Sequence, residues 1–370
     1  MNVERKFLNI LLVVACMALV LGLAGCKESN PSKTTGVPTT PDATCSAGPT
    51  RTITDMFGRE VIVPSIINKV LATGPVEMEL IYMLAPDKLA GLCFEFNGSP
   101  PFAHDKYMAL PIIGGWFGTQ VGNYESFISI QPDIVIDGYQ ADINERQSKF
   151  GDIPVVGVET GDQLFYYTEA ARFLGVLLGV EEKAESFITY YEEAKAYVDK
   201  ITSSIPENEK TRIYYAEGKE GFHTDPVGSH HTILLEFCGG VNVADVSLLP
   251  GYGMAEASME QILLWNPDLI IIGRGSQSAL YQSIMSDKRW AGLQAVQEGR
   301  VFLRPDNPFS WFDGPPGPCQ ILGMYWMISL LYPEQTQDLD LAEKITEFYG
   351  DFLHYDLQPA EVEKFLSVPS

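Results

Sequence analysis

The side chains best suited to chemistry in this 370-residue chain are a few polar groups and a high density of loop aromatics. Glu77, His223, His230, His231 and Arg274 are the polar candidates. Imidazole titrates near neutrality and ligates metals, so His230-His231 offers a contact to a metal or a metal chelate. Adjacent helical histidines point in different directions and do not easily serve one ion. Two solvent-facing histidines at a helix start are the competing reading, of equal weight. Arg274 directly follows an aliphatic run, where a guanidinium can grip a carboxylate or an anion, against a plain surface ion pair. The aromatic candidates are Phe94, Phe96, Trp116, Phe117 and Tyr139, then Tyr252, Trp311 and Phe312. Roughly half of them are expected to be ordinary core. Gly114, Gly115, Gly118, Gly251 and Gly253 place Trp116 and Tyr252 in open loops, and Trp311 shares that expectation. An aromatic-lined cleft suits a bulky planar or chelated ligand better than a bare ion.

Two further carboxylates, Glu125 and Glu260, occur in a stretch that the chain uses twice. Residues 124–136 and 259–271 each read as a short helix opened by a glutamate, then Pro-Asp, then a buried strand. Glutamate and proline are seven residues apart in both copies, at Glu125/Pro132 and Glu260/Pro267. An offset of 135 residues is too long for a solenoid and fits two similar α/β lobes. Asn123 and Ser258 stand at N-cap positions, and Ser258 with Gln261 has capping-box spacing. The prolines stop each helix. Continuous aliphatic runs follow, the pattern of strands covered on both faces. Taken singly, each glutamate is explained by compensation of the helix dipole, worth about 0.3–1 kcal/mol. As a matched pair they read as two acidic knobs, one per lobe.

These repeats resemble the Glu-(x6)-Pro-Asp-strand units of the substrate-binding proteins of iron–siderophore, haem and cobalamin ABC importers. Residues 71–82, the Phe237-Cys238-Gly239-Gly240-Val241-Asn242 stretch and the Pro308-Phe309-Ser310-Trp311-Phe312-Asp313 stretch are similar to that family as well. The resemblance covers about residues 51–335. It implies two doubly wound α/β lobes joined by one long rigid helix, with the ligand in the crevice between them and only modest hinge motion. It implies that Glu125 and Glu260 dock into arginine pockets of a permease dimer served by its ATPase.

The elements that position these groups are legible in chain order. Residues 1–25 read as a targeting segment with a basic start at Arg5 and Lys6 and an apolar stretch from Phe7 to Leu23. Leu23-Ala24-Gly25-Cys26 resembles a bacterial lipobox, so Cys26 is the expected lipidation site. An uncleaved membrane anchor is the alternative, the run approaching the minimum span of roughly 17 residues. Either way the body lies outside the cytoplasm, tethered to a membrane. Residues 26–50 are polar and read as a flexible tether. Residues 51–160 form the expected first lobe, with a hairpin over 52–64, strands at 69–73, 89–96, 134–136 and 155–158, and helices at 76–84 and 143–150. Residues 161–204 are a helical connection, whose segment 181–203 carries apolar residues at helical spacing and spans about 35 Å. Residues 205–370 form the second lobe with terminal helices.

A formal net charge of −23 argues against nucleic-acid binding and is compatible with a basic docking partner or with simple solubility. No Gly-x-Ser-x-Gly, phosphate-binding loop or His-Glu-x-x-His motif points to an enzyme. Six cysteines are present. Cys16 leaves with the targeting segment, and Cys45, Cys93, Cys238 and Cys319 have no zinc-like spacing, with Cys238 and Cys319 the candidates for a disulfide. The expected function is capture of a metal chelate, iron–siderophore or haem first, corrinoid second and an oxyanion such as molybdate third. No intrinsic cofactor is expected, and a monomer is. A ligand sensor or a metal-dependent enzyme on the same fold are the alternatives of another class.

Overall fold

The computed structural model describes residues 48–160, 167–248, 254–273, 277–314 and 316–366. Tyr252, Arg274, Cys26 and Cys45 therefore lie outside the described residues, as does the targeting segment. Among the described residues no helix is long and apolar enough to cross a membrane.

The first lobe opens with an antiparallel hairpin, β1 (Thr50–Thr54) and β2 (Glu60–Pro64), turning at Gly58 with φ of 77°. Strand β3 (Val70–Ala72) leads into α1 (Pro75–Leu84), and α2 (Asp105–Met108) follows in the long connection. The first repeat is α3 (Tyr124–Ile130) and β4 (Ile134–Asp137). Helix α4 (Ile143–Phe150) and strand β5 (Val155–Gly157) complete a parallel sheet of order β3-β4-β5. The stretch expected as a strand at 89–96 is not one. It makes only isolated bridges at Leu89 and Leu92. Its residues carry aromatic rings to the other lobe instead of a ladder.

Helix α5 (Tyr167–Leu178) and the 22-residue α6 (Glu181–Thr202) connect the lobes. The second lobe contributes β6 (Arg212–Ala216), β7 (His223–Thr224), α7 (Ile233–Phe237), β8 (Val241–Asn242) and β9 (Ala255–Glu256). The second repeat is α8 (Met259–Trp265) and β10 (Leu269–Ile272). Helices α9 (Gln277–Ser286) and α10 (Gln294–Gln297) and strand β11 (Val301–Leu303) follow. Helices α11 (Gln320–Leu331), α12 (Leu341–Phe352) and α13 (Pro359–Leu366) are the last elements among the described residues. The second parallel sheet has the order β11-β10-β6-β8, with β7 and β9 as a separate antiparallel pair.

Alternation along the strands explains how two sheets make one body. Val70, Ala72, Ile134, Ile136, Ile213, Tyr215, Leu269 and Ile271 all face one core, shared with α1, α5, α6, α11 and α12. Leu71, Val135 and Val155 face a second core under α3 and α4. Tyr214, Ala216, Ile270, Ile272 and Val301 face a third, with Trp290. Each fully buried aliphatic side chain contributes about 1.5–3 kcal/mol. The shared core holds both lobes against α6, whose Tyr190 hydroxyl donates to the Lys344 carbonyl at 2.8 Å.

Both repeat helices are capped as their sequences dictate. The Asn123 carboxamide oxygen accepts from the Glu125 and Ser126 amides, and Ser258 with Gln261 forms a full capping box. Gln131 and Asn266 end the helices at positive φ, 54° and 39°. Cys93, Cys238 and Cys319 are free and buried, so Cys238 and Cys319 do not pair.

Candidate ligand-binding site

Parallel strands aim their carboxyl ends at one edge, so the residues just after β3, β4 and β6 are the candidates for the crevice wall. In the first lobe this places Glu77 in the opening turn of α1, 3% exposed. Its Oε1 accepts from the Thr160 hydroxyl at 2.5 Å. Gly138 is required there, because a Cβ at that position would stand 1.9 Å from Glu77 Oε1. Burial pushes the Glu77 carboxyl up to about 7, with the Thr160 hydrogen bond opposing. Beside it, Asp137 Oδ1 accepts from Arg146 Nη1 at 2.8 Å, and the same nitrogen reaches Thr73 Oγ1 at 3.1 Å. Burial holds the Asp137 carboxyl above its ordinary range, with Arg146 pulling it back. The guanidinium lies over the rings of Trp116 at 4.9 Å and Tyr139 at 5.4 Å.

In the second lobe a buried acid–imidazole cluster forms where two distant segments, 225–231 and the loop carrying Asp313, meet. His231 Nδ1 is 2.5 Å from Asp313 Oδ1 and 4.0 Å from Asp225 Oδ2. The Tyr215 hydroxyl donates to Asp313 Oδ2 at 3.1 Å, and Ser229 Oγ donates to Asp225 Oδ1 at 2.8 Å. One ligand-type atom from each of Asp225, His231 and Asp313 lies within 4.8 Å of the other two. His231 Nε2 has no hydrogen-bond partner among the described residues. Glu217, immediately after β6, is fully buried beside Tyr215 and Gly273. The cluster has the donor types that a metal or metal chelate engages, with oxygen and nitrogen ligands.

The lobes meet at an aromatic seam. Phe309 of the second lobe is buried among Tyr82, Phe94 and Phe96 of the first, at centroid distances of 5.5, 6.4 and 5.3 Å. The Asn97 amide donates to the Pro308 carbonyl at 2.9 Å. Glu79 is buried here, and a Cβ on Gly317 would fall 2.4 Å from its Oε2. Burial, with the nearby Glu77, raises the Glu79 carboxyl well above its ordinary value.

Several expected site residues sit elsewhere. Trp311 is fully buried and stacks on Phe365 at 4.9 Å, so it is core and does not line a cleft. Phe312 is fully buried against Tyr215 at 4.9 Å. Trp116 packs on Tyr124 and Phe127 and covers Arg146, so it supports the wall from behind. Phe94 belongs to the seam, and Phe117 is half-buried against it at 6.3 Å. Tyr139 is 45% exposed. His230 is exposed while His231 is buried, although their rings are 4.0 Å apart. His223 faces Glu256 across β7 and β9, 3.8 Å apart. Asp137, Arg146, Glu217, Asp225 and Asp313 escaped sequence reasoning. For Asp137 and Glu217 the usable signal was a charged residue ending or directly following a run of buried residues. Asp225 carried none.

Glu125 and Glu260 are both exposed in the first turns of α3 and α8. One turn on, the same helices expose aliphatics: Ile128 at 40%, Leu263 at 44% and Leu264 at 84%.

Residues 117–308 match a protein family described as periplasmic binding protein. The molybdate-binding protein MolA of Haemophilus influenzae is 25% identical over 341 residues, covering 84% of this chain and 92% of that protein. A solved ABC transporter solute binding protein from Sulfurospirillum deleyianum is 31% identical, with a TM-score of 0.77, covering 85% of this chain and 98% of its own. A solved periplasmic solute binding protein from Veillonella parvula has a TM-score of 0.69 at 23% identity, covering 86% and 97%.

Proposed function

The chain belongs to the periplasmic binding protein family, and from that premise we propose that it captures a compact metal chelate between its lobes for an ABC importer. The observation that carries this reading is the donor set. After β3, β4 and β6 and in the 225–231 and 313 segments the described charged groups are mostly carboxylates, Glu77, Asp137, Glu217, Asp225 and Asp313, with His231 among them. The guanidinium of Arg146 is already engaged by Asp137. Oxygen and nitrogen donors of this kind favour a metal-bearing solute. Iron–siderophore therefore ranks above haem and corrinoid. With Trp311 and Phe312 in the core, fewer of the expected aromatics are left among the described residues to support a macrocycle.

Delivery is read from the paired knobs. Glu125 and Glu260, each with an exposed aliphatic one turn on, suit a two-fold permease offering arginines. A lipid on Cys26 would keep the protein on the outer face of the cytoplasmic membrane, with residues 27–50 as tether.

A second reading, a molybdate carrier, is favoured by the molybdate-binding relative. Thermal melts with an iron(III)–catecholate chelate, a nickel(II)–histidine complex, haemin and molybdate separate them. A ligand at one hundred times its Kd adds about 2.7 kcal/mol of stability. Stabilisation by a chelate and not by molybdate is expected. A shift with molybdate alone overturns the reading.

A further inference from the structure

Strand β11 is the outer edge of the second sheet, and a cavity of about 800 Å³ lies against it. Its walls come from the first turn of α9, from α11 and α13, and from Ser99, Pro100 and Phe102 of the first lobe. None of the crevice groups described above, Glu77, Glu217, His231 or Asp313, lines it.

The lining has two characters. One part is apolar, with Phe302, Leu303, Trp326, Leu330 and Phe365. The other is polar and gathered at the end of β11. Arg304 lines the cavity, is 6% exposed, and its Nε has no hydrogen-bond partner among the described residues. Its Nη1 donates to Ser310 Oγ. A buried guanidinium with an unused N–H is an unfilled claim for an acceptor, since such donors are nearly always satisfied. Lys364 adds a second cation on the rim. Gln277 to Ala279 at the described start of α9 line the cavity and include no acidic residue. One carboxylate opposes the two cations: Asp306 lines the cavity, its Oδ2 accepts from Gln277 Nε2 at 2.8 Å, and burial raises its carboxyl.

We propose that this cavity, which shares none of Glu77, Glu217, His231 and Asp313, is a second binding site, for a small amphipathic carboxylate. Its apolar body would lie along β11 toward Trp326 and Phe365, and its head group would take the free N–H of Arg304. An uncharged alcohol of the same shape would meet that donor with only a neutral hydrogen bond, and a cation meets Arg304 and Lys364 with like charge. The site therefore discriminates by head group first and by length second.

Octanoate, octanol and octylamine are probes of equal tail length, titrated calorimetrically into the purified full chain. Octanoate is expected to bind with one equivalent, and octanol about tenfold more weakly or worse, the charge-assisted bond being absent. Arg304→Gln is expected to reduce octanoate affinity about tenfold by the same argument. Arg304 also supports the 310–313 loop, because Ser310 Oγ accepts from the Phe312 and Asp313 amides. Ala279→Trp is therefore the second variant. It fills the cavity from the exposed face of α9, leaving Arg304 in place, and should abolish octanoate binding with the melting temperature and iron–catecholate binding unchanged. Octanoate binding the Ala279→Trp protein as tightly as the parent, or octanol matching octanoate, would overturn the proposal. Absence of any octanoate binding to the parent overturns it too, whatever the metal chelates do.

Discussion

Asp133 and Asp268 hold the same post in the two lobes. Asp133 Oδ2 accepts from the Asn68 and Lys69 amides at 2.6 and 2.9 Å, and Asp268 Oδ2 accepts from the Arg212 amide at 2.9 Å. Each aspartate's own N–H donates back to the same strand start, to the Lys69 carbonyl and to the Arg212 carbonyl, both at 2.8 Å. The Asp of each Pro-Asp pair thus ties the repeat helix to the strand beside it. Glu125 and Glu260 are eight residues upstream of these anchors. Their placement relative to their own sheets is therefore set twice by the same local device.

Replacing Glu125 and Glu260 together by alanine should abolish uptake in cells and leave binding of the transported ligand intact, with the single variants impaired less. Exposed charge pairs govern encounter and register more than affinity for a third component. If the glutamates serve only their helix dipoles, the melts fall by about 0.3–1 kcal/mol per site and uptake stays normal. Uptake and melting measured on the same variants decide between the two outcomes.

Glu77 should make stability fall as the pH rises. Its folded carboxyl titrates at about 7 against an ordinary value of 4.5. The folded state therefore holds a proton that the unfolded state has released across that window. The stabilisation is complete below about 4.5 and is lost as the pH passes 7. Glu77→Gln keeps an oxygen for the Thr160 hydroxyl and removes the titration. Urea midpoints for the variant should vary less between pH 5 and pH 7.5 than those of the parent. Parallel curves would show that Glu77 does not hold a proton in the fold. Glu79 shifts in the same direction, so part of the dependence survives the substitution.

Trp311→Ala should weaken the fold and spare ligand affinity. The indole is fully buried against Phe365 and Tyr349, so its removal leaves a cavity. A loss of about 3–5 kcal/mol is the scale for a large core aromatic. Calorimetric affinity for the transported ligand, measured below the melting range, should stay within twofold of the parent, a range of about 0.4 kcal/mol. A large affinity change with little destabilisation would return Trp311 to the ligand wall.

What the sequence determined by itself was local or periodic. The caps at Asn123 and Ser258, the stop at each Pro-Asp, and the continuous aliphatic strands are contacts within a few residues of one another. They specify two parallel sheets and the exposed positions of Glu125 and Glu260 without reference to the rest of the chain. The long helix was likewise written in its own spacing, Glu181–Thr202. Tertiary structure decided which loop residues face the crevice and which turn inward. Trp311 and Phe312 follow a strand as crevice residues do, yet α13 and Tyr215 cover them. The cluster of Asp225, His231 and Asp313 joins loops up to 88 residues apart, and no local pattern marks a contact made only when two loops close on each other. The cavity beside β11 is likewise set by strand order, because only an edge strand leaves a flank open for Arg304 and the last helix to enclose.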